Sequence, residues 1–363
     1  MPGFLEPIRE ALGETLFFYG FSPLLKIGFV MFLFALPIIT WMVLAERKIL
    51  GFIQFRPGPN RVGPWGLLQP VADVAKLLVK EDVIPREAIK WAYIMAPGLV
   101  VVPMFVLFSV IPFGPPGEGD SLSFFITDLN VGALFIVATA TLGVYGIIIS
   151  GWASNSKFSL MGGLRSAAQM VSYEVPQALS IVGALMLAGS LSLVDIVEAQ
   201  RSAHLWYVFP QILGFFVFFV SGIAEANRNP FDLPEAESEL VAGFHTEYTG
   251  MRFAFFFLAE YGNMIIISAV GTTLFFGGWL RPFPNFEALA FLDGGWLPFG
   301  LAFIVPMIWF SLKVFFFLFV YIWFRGTFPR YRFDQLMALG WKWLLPMALI
   351  NIFVTGLVKL LLL

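Results

Sequence analysis

The sequence predicts an all-α polytopic membrane protein, with about eight transmembrane helices and with amphipathic helices in long cytoplasmic loops. Of its 363 residues, 59% are hydrophobic and 13% are charged, whereas an average soluble domain is about 45–50% apolar and about 25% charged. A soluble fold of this size cannot cover such an apolar excess with polar surface. The composition therefore excludes a disordered chain, a nucleic-acid binder and a secreted disulfide-rich domain.

Eight apolar runs have the length of a membrane span, for which about 20 residues suffice. They are residues 24–45, 92–113, 131–151, 172–190, 206–225, 253–276, 300–324 and 340–362. The runs are continuous rather than alternating, which favours helices over strands. Because no soluble segment interrupts them, residues 1–363 are expected to form a single integral membrane domain.

The basic residues predict the orientation of these spans. The connections after spans two, four and six hold only Arg201 and Arg281, whereas the connections after the odd spans hold most of the 22 Lys and Arg residues. Positive residues mark the cytoplasmic side of a membrane. We therefore expect the odd-numbered loops to be cytoplasmic and both termini to lie on the opposite side.

The first loop combines a stiff turn with an amphipathic helix. Residues 56–64 read RPGPNRVGP, and this density of Pro and Gly disfavours both helix and strand. Beyond the turn, Gln69, Asp73, Lys76 and Lys80 follow at helical spacing, which predicts a helix on the membrane surface or against a partner. Asp73 could pair with Lys76 on this stripe, although an ordinary surface helix explains the pattern equally well.

The segment 225–252 is acidic, against the positive bias of its side of the membrane. Its acids are Glu225, Asp232, Glu235, Glu237, Glu239 and Glu247. In one interpretation Asp232 caps a helix that begins near Pro234, and the acids that follow meet the positive end of the helix dipole. In the other, neighbouring carboxylates disfavour each other's ionisation and exchange protons near neutral pH.

Two charges lie inside predicted spans. Glu260 lies about 10 Å into the sixth span and Lys313 about 18 Å from Arg325, by the rise of a helix. With Glu225 at the boundary, these residues place ionisable groups at successive depths. An intramembrane charge is a functional-site hypothesis by default, and the alternative is a structural ion pair between helices. Glu260 and Lys313 could interact directly or, as we favour, through water or another side chain.

The chain offers few ligands for a redox cofactor or a metal ion. It has no Cys and only two His, His204 and His245. Thiolates are the usual ligands of iron–sulfur clusters, and neither His has a second ligand at a useful spacing. We expect no metal site and no catalytic residue of a soluble type in this chain.

Several motifs resemble one family. Glu46-Arg47-Lys48 is followed by RPGPN at 56–60, and GWASNS lies at 151–156. EANRNPFDLPEAESEL occupies 225–240, and Ala259-Glu260-Tyr261 follows it. The motifs Ser172-Tyr173-Glu174 and PRYRFDQLM at 329–337 complete the set. From about residue 24 to the C-terminus, the chain resembles the H-type membrane subunit of bacterial NADH-quinone oxidoreductase (respiratory complex I), the homologue of mitochondrial NADH dehydrogenase subunit 1.

The resemblance implies a membrane subunit at the junction with the peripheral arm. Such a subunit forms the quinone access channel and couples quinone reduction to proton translocation in the bacterial inner membrane. The implied quinone-channel residues are Glu46, Arg47, Arg56, Arg61, Asp73, Phe231 and Asp232. The implied proton-coupling residues are Glu174, Glu225, Arg228, Glu235, Glu237, Glu239, Glu247, Glu260 and Lys313.

The resemblance also implies partners and cofactors. Quinone is the substrate, while NADH, FMN and the iron–sulfur clusters belong to partner subunits. The expected partners are the peripheral subunits of the quinone site, the neighbouring membrane-arm subunits and lipid, with no nucleic acid.

Two other functions remain open at this stage. The first is a homologous membrane subunit of an energy-converting hydrogenase or a related complex, and the second is a stand-alone proton-coupled transporter. The intact first loop favours complex I over the hydrogenase. Subunits that co-purify with the chain would distinguish it from a transporter.

Overall fold

The structure is a computed structural model that describes residues 22–116, 126–232, 241–282 and 304–362. All regular structure within these ranges is helical. This confirms the all-α prediction.

Ten helices, named here in chain order, make up the described fold. They are α1 (Ser22–Gly28, the π-helical Phe29–Ala35 and Leu36–Ile53), α2 (Gln69–Val79), α3 (Lys90–Phe108), α4 (Gly132–Ala153), α5 (Lys157–Ala188), α6 (Leu193–Ser202), α7 (Ile212–Glu225), α8 (Gly250–Phe275), α9 (Ile304–Thr327) and α10 (Phe333–Leu339, the π-helical Gly340–Leu344 and Leu345–Leu362). Two 3₁₀ turns, Pro64–Gly66 and Gly243–His245, lie between helices.

Seven of the described helices are long and apolar enough to cross a membrane, and α7 is a shorter apolar helix. At 1.5 Å per residue, α7 reaches about 21 Å, less than the hydrocarbon thickness of about 30 Å. The sequence predicted a fifth span from residue 206, but residues 206–211 form turns. One reason is that Gln200 accepts a hydrogen bond of 3.1 Å from the Tyr207 amide, which fixes this stretch outside the helix.

The third loop, predicted over residues 152–173, is mostly helical because α5 begins at Lys157. Its Ser and Gly residues are packing residues rather than loop residues. A Cβ on Gly151 would lie 2.7 Å from the Ser159 carbonyl oxygen and 3.2 Å from the Gly163 Cα, so small residues allow α4 and α5 to approach closely. As a result Glu174 lies in the middle of α5, whereas the predicted fourth span, which starts at residue 172, places it close to a helix end.

Helix α8 is the centre of the bundle. It packs against α3, α9, α7, α1, α2 and α6. Polar side chains on α8 can therefore meet groups from most other helices.

The connections alternate between two ends of the bundle. At one end, Arg252 pairs with Asp82 at 2.9 Å and the Tyr331 amide donates to the Pro230 carbonyl at 3.0 Å, so the loops after α1, α7 and α9 lie together. We call this the loop-rich end. The segments around Pro115, His204 and Arg281 line one cavity at the opposite end. This alternation agrees with the predicted topology, and which end is cytoplasmic stays a prediction.

The first loop has the two predicted parts. Residues 54–63 contain no helix or strand, and α2 follows as an amphipathic helix with exposed Val71, Val74 and Leu78. The predicted helix start near Pro234, together with Glu235, Glu237 and Glu239, lies outside the described residues.

Candidate functional site

A buried charge network lies near the loop-rich end, between α1, α8, α9 and the turn after α7. We call it the central network, and it consists of Glu46, Arg228, Glu260, Tyr261 and Arg325. Glu46 on α1 is 4% exposed, and it forms ion pairs with Arg325 and, at 3.5 Å, with Arg228. The Tyr261 hydroxyl donates a hydrogen bond of 2.7 Å to Glu46 Oε2. Glu46 thus has three partners from three separate elements.

Arg228 links the two carboxylates of the central network. Its Nε lies 3.0 Å from Glu260 Oε1, and its guanidinium carbon lies 4.1 Å from the centroid of the Tyr261 ring. Arg228 is 5% exposed. A buried charge needs partners of this kind, since isolated burial is very costly.

Gln169 on α5 holds the turn that presents Arg228. This fully buried side chain donates hydrogen bonds of 2.8 Å to the Ala224 carbonyl and 2.7 Å to the Phe231 carbonyl. The turn includes Asn227, which has a positive φ of 49°. Gln169 therefore fixes a backbone path that helix propensity alone does not favour.

Phe231 and Asp232 lie beside the central network. Asp232 accepts a hydrogen bond of 3.1 Å from Arg330, and Phe231 stacks on Tyr331 with ring centroids 5.6 Å apart. Phe231 and Tyr331 also line an apolar cavity of about 440 Å³ between α7, α9 and α10. Volumes of this size hold small organic ligands.

The first-loop residues divide into a paired group and an exposed group. Arg47 donates to Asp73 at 2.8 Å, and Gln69 donates to the other oxygen of Asp73 at 3.0 Å. The suggested pair of Asp73 with Lys76 is not found among the described residues, because both oxygens of Asp73 are taken by Arg47 of α1 and by Gln69 of its own stripe. Arg56 and Arg61 are exposed at the turn, where Arg56 donates to Gln54 at 2.7 Å.

Two small cavities continue from Glu260 into the bundle. The first cavity, about 30 Å³, is lined by Glu260, His245, Glu225 and Asn263. The second, about 50 Å³, is lined by Glu225, Asn263 and Glu174. A water needs roughly 10–15 Å³ of such space and polar partners. Both cavities therefore have room and partners for water, and Glu225 and Asn263 border both.

Glu225 and Glu174 differ in their partners. Glu174 accepts a hydrogen bond from the Thr141 hydroxyl on α4. The buried Oε2 of Glu225 has no hydrogen-bond partner among the described residues. An oxygen in this state favours a bound water or a proton.

His245 adds an uncharged imidazole to the first cavity. It is 7% exposed, and its ring packs edge-on against Phe244 and Phe253. Burial lowers the pKa of His245 to about 4, although Asp232 nearby acts in the opposite direction. The ring is neutral at physiological pH, with one nitrogen that donates and one that accepts.

Glu247 contributes its backbone rather than its carboxylate to the described contacts. The Tyr93 hydroxyl donates a hydrogen bond of 2.7 Å to the Glu247 carbonyl oxygen. Glu247 is not among the described residues that line either small cavity.

Lys313 lies at the opposite end, away from the central network. Its ammonium donates to the carbonyl oxygens of Phe276, Gly278 and Leu280 at 2.7, 2.8 and 2.6 Å. Glu260 pairs instead with Arg228, so the expected link between Glu260 and Lys313 is not a direct pair. Lys313 caps the backbone that follows α8, where the helix dipole is negative.

Sequence reasoning missed several members of this site. Tyr261 was noticed only as part of a motif, and Arg325 only as a basic residue that sets topology. Gln169, Thr141 and Asn263 were not singled out. A polar side chain inside an otherwise apolar helix was the available signal for all three.

The described residues contain no group of three or more His, Asp or Glu side chains arranged to hold a metal ion. The site instead consists of alternating cations and carboxylates that lead to two mainly apolar cavities, each bordered by a few polar side chains. Such an arrangement can hold charge, bind water and pass protons.

Comparisons with known proteins identify the family. A family model described as NADH dehydrogenase matches residues 25–356. The chain is 50% identical over 335 residues to an H-type subunit of the NADH-quinone oxidoreductase of Geobacter metallireducens, and the match covers 92% of this chain and 95% of that protein. It is 49% identical over 346 residues to the H-type subunit of the same enzyme from Magnetococcus marinus, with 95% of this chain and 93% of that protein covered.

A third relative, the H-type subunit of the NADH-quinone oxidoreductase of Anoxybacillus flavithermus, is 51% identical over 334 residues, or 92% of this chain and 93% of that protein. The residues matched by the family model include the helices that carry the central network and both small cavities. The chain belongs to the NADH dehydrogenase family.

Proposed function

We propose that the chain is the H-type membrane subunit of a proton-translocating NADH-quinone oxidoreductase. In this role it forms the quinone access channel at the junction with the peripheral arm and couples quinone reduction to proton translocation. The observation that carries this proposal is the central network together with the two small cavities that extend from it. The relatives, which are subunits of NADH-quinone oxidoreductase, support the same enzyme.

The proton route of this proposal begins at Glu260. Water in the first cavity connects Glu260 with Glu225, and water in the second connects Glu225 with Glu174. Glu225 borders both cavities, so a proton that reaches it has a path in either direction. A change of charge near Glu46 or Arg228 alters the field at Glu260 and thereby its tendency to hold a proton.

The quinone side of the proposal uses the residues around Phe231. The apolar cavity beside Phe231 and Tyr331 suits a polyprenyl tail, and the Asp232–Arg330 pair next to it suits a polar headgroup. Arg47 and Asp73 contribute a second polar contact, between α1 and α2. Arg56 and Arg61 belong to the channel in this proposal, and their exposed position suits contact with a peripheral subunit.

The electron carriers belong to partner subunits in this proposal. The chain has no Cys, so it supplies no thiolate ligand for an iron–sulfur cluster. NADH and FMN act in the peripheral arm, and quinone takes its electrons there. The partners are the quinone-site peripheral subunits and the neighbouring membrane-arm subunits, in the bacterial inner membrane with the loop-rich end cytoplasmic and both termini periplasmic.

The test is Glu225→Gln in the assembled complex. This change keeps the shape of the side chain but removes its proton exchange. We expect proton translocation coupled to quinone reduction to fall about a hundredfold, at the lower end of what a positioned proton-transfer group contributes. NADH oxidation by a hydrophilic artificial acceptor should stay unchanged, because that reaction does not use this chain.

Asp334→Asn is the matched control, because Asp334 is an exposed acid at the same end. An assembled Glu225→Gln complex with a wild-type ratio of protons to electrons would contradict the route. Purification of the chain without flavin and iron–sulfur subunits would contradict the wider proposal.

A photoreactive quinone tests the channel separately. With the photoreactive group on its tail, the quinone should label peptides of 324–347, which line the apolar cavity. Labelling of peptides outside α7, α9 and α10 would show that the quinone channel lies on another face of the bundle.

A further inference from the structure

A second large cavity lies at the opposite end of the bundle, far from the proposed proton route. Its volume is about 360 Å³, and its lining includes Arg201, His204, Trp279, Arg281 and Trp309. These residues come from the end of α6, the turn after α8 and the start of α9. Three separate elements thus converge on one opening.

The charges of this cavity are unusual for its end of the protein. Arg201 and Arg281 are the only Lys or Arg residues in the even-numbered connections, and both line it. Arg201 also contacts Glu198 at 3.5 Å, with side chains 64% and 39% exposed. An exposed pair of this kind holds weakly, so Arg201 can exchange this contact for a stronger anion.

Two indoles border the cavity, one just after α8 and one near the start of described α9, and Trp279 is only 4% exposed. Trp279 follows the end of α8 by four residues, and Trp309 lies in the second turn of described α9. Tryptophan is enriched where a membrane span meets water. The turn that carries Trp279 is held by Lys313, which binds the Gly278 and Leu280 carbonyls on either side of it.

An apolar surface continues from the cavity along α9. Val305 and Pro306 belong to the lining, and Ile308 and Leu312 beyond them are 54% and 57% exposed. Residues four apart share one face of a helix. The cavity therefore opens onto an exposed apolar face of α9 that suits an acyl chain. A free phosphate ion would make no use of this apolar face.

We propose that this cavity binds the headgroup of an anionic phospholipid, with Arg201 and Arg281 on the phosphate and the acyl chains along α9. Guanidinium groups match phosphate oxygens in charge and geometry. Basic pockets between membrane helices on the cytoplasmic side bind anionic lipid headgroups, and the same charge chemistry is available at this opposite end of the bundle. The site is independent of the proposed proton route.

The test compares lipid retention by the purified assembly that contains the full chain. After detergent delipidation, phosphatidylglycerol is added back and the retained lipid is counted by native mass spectrometry. The double variant Arg201→Gln, Arg281→Gln should bind phosphatidylglycerol about thirtyfold more weakly, because it removes both cations from the anionic headgroup; thirtyfold is about 2 kcal/mol. The control double variant Arg332→Gln, Lys342→Gln removes two exposed cations at the loop-rich end and should bind it normally.

Four outcomes would overturn the proposal. Equal retention by both double variants would show that the two arginines do not hold the lipid. If the wild-type assembly retained phosphatidylcholine as well as phosphatidylglycerol, the anionic headgroup would not be what the cavity recognises. Hydrogen-exchange protection of residues 276–282 by inorganic phosphate alone would assign the site to a free anion, and protection by an acidic peptide alone would assign it to a protein.

If the double variant fails to assemble, the salt dependence of lipid retention by the wild-type protein still tests the proposal. Retention of phosphatidylglycerol should fall with ionic strength, because phosphate contacts are screened by salt. Retention that does not change with salt would contradict the proposal.

Discussion

Two buried cationic sites, at opposite ends of the bundle, show how differently a charge can be held inside a membrane protein. Arg228 pairs with the carboxylates of Glu46 and Glu260 and lies beside cavities with room for water. Lys313 instead donates to three backbone carbonyls. Both residues are less than 10% exposed.

The difference lies in what the partners can do. Carboxylates as a class can take up and release protons, which the proposed proton route requires. Backbone carbonyls do not titrate, and an ammonium group has three donors, all of which Lys313 uses. Lys313 therefore suits a fixed cap on the turn after α8, and we expect it to lie outside the proton route. The coupling role that the resemblance implies for Lys313 is what its substitution tests.

The largest effect is expected from Glu46→Gln. The change leaves Arg228 and Arg325 without their shared carboxylate, and removal of one partner from a buried pair costs about 3–5 kcal/mol. Thermal inactivation of the assembled complex should therefore begin at a clearly lower temperature. A stability equal to wild type would show that water replaces Glu46 and that the central network is not rigid.

A smaller loss is expected from Lys313→Met. Three carbonyls lose a donor, but a buried charge is removed as well, so we expect about 1–3 kcal/mol. Proton translocation per electron in the complex that remains assembled should equal wild type. A lower ratio of protons to electrons in a fully assembled complex would show that Lys313 takes part in proton coupling. The contrast between the two buried cations would then not hold.

The pH dependence tests the cavity beside the central network. The pKa of His245 is lowered to about 4 by burial, against about 6.5 in an unfolded chain, so the unfolded state binds the proton first. Stability is thus present above pH 6.5 and falls as the pH decreases toward 4, by about 1 kcal/mol between pH 6.5 and 5.5. His245→Asn should reduce the fall of thermal stability between pH 6.5 and 5.5. An unchanged dependence of stability on pH would show that other groups cause the fall.

The smallest effect is expected from Glu198→Gln. Its pair with Arg201 is exposed on both sides, and such pairs contribute at most about 1 kcal/mol. Thermal stability should stay within that range of wild type. A loss of thermal stability as large as that of Glu46→Gln would contradict this expectation. It would show that burial does not explain the difference between the buried pairs of Glu46 and the exposed pair of Glu198.

Much of the fold could be predicted from local patterns. The amphipathic α2 was predicted because its polar residues recur at helical spacing, and the turn before it because Pro and Gly exclude helix and strand. The start of α5 was not predicted, because Ser and Gly are typical both of loops and of close helix contacts. The same ambiguity misplaced Glu174 at a helix end.

The candidate site could be predicted only in part. Glu260 and Lys313 were recognisable because a charge in an apolar run is rare. Their partners were not, because Glu260 meets Arg228 from a turn outside its own helix and Lys313 meets carbonyl groups 33 to 37 positions away. The pair of Glu46 with Arg325 was equally hidden, because 279 positions separate the two residues and no local pattern joins them. Gln169 escaped notice since its function is to hold another segment, which depends on tertiary contact.

The sequence alone determined the membrane class, the alternation of connections and the resemblance to one family, because composition, apolar length and long motifs are properties of the chain itself. The tertiary structure decided which charge meets which. It paired Glu260 with Arg228, turned Asp73 toward Arg47 and gave Lys313 three carbonyls. The physical reason is that ionic and hydrogen-bond energies depend on distances between helices, which packing sets and local sequence does not record.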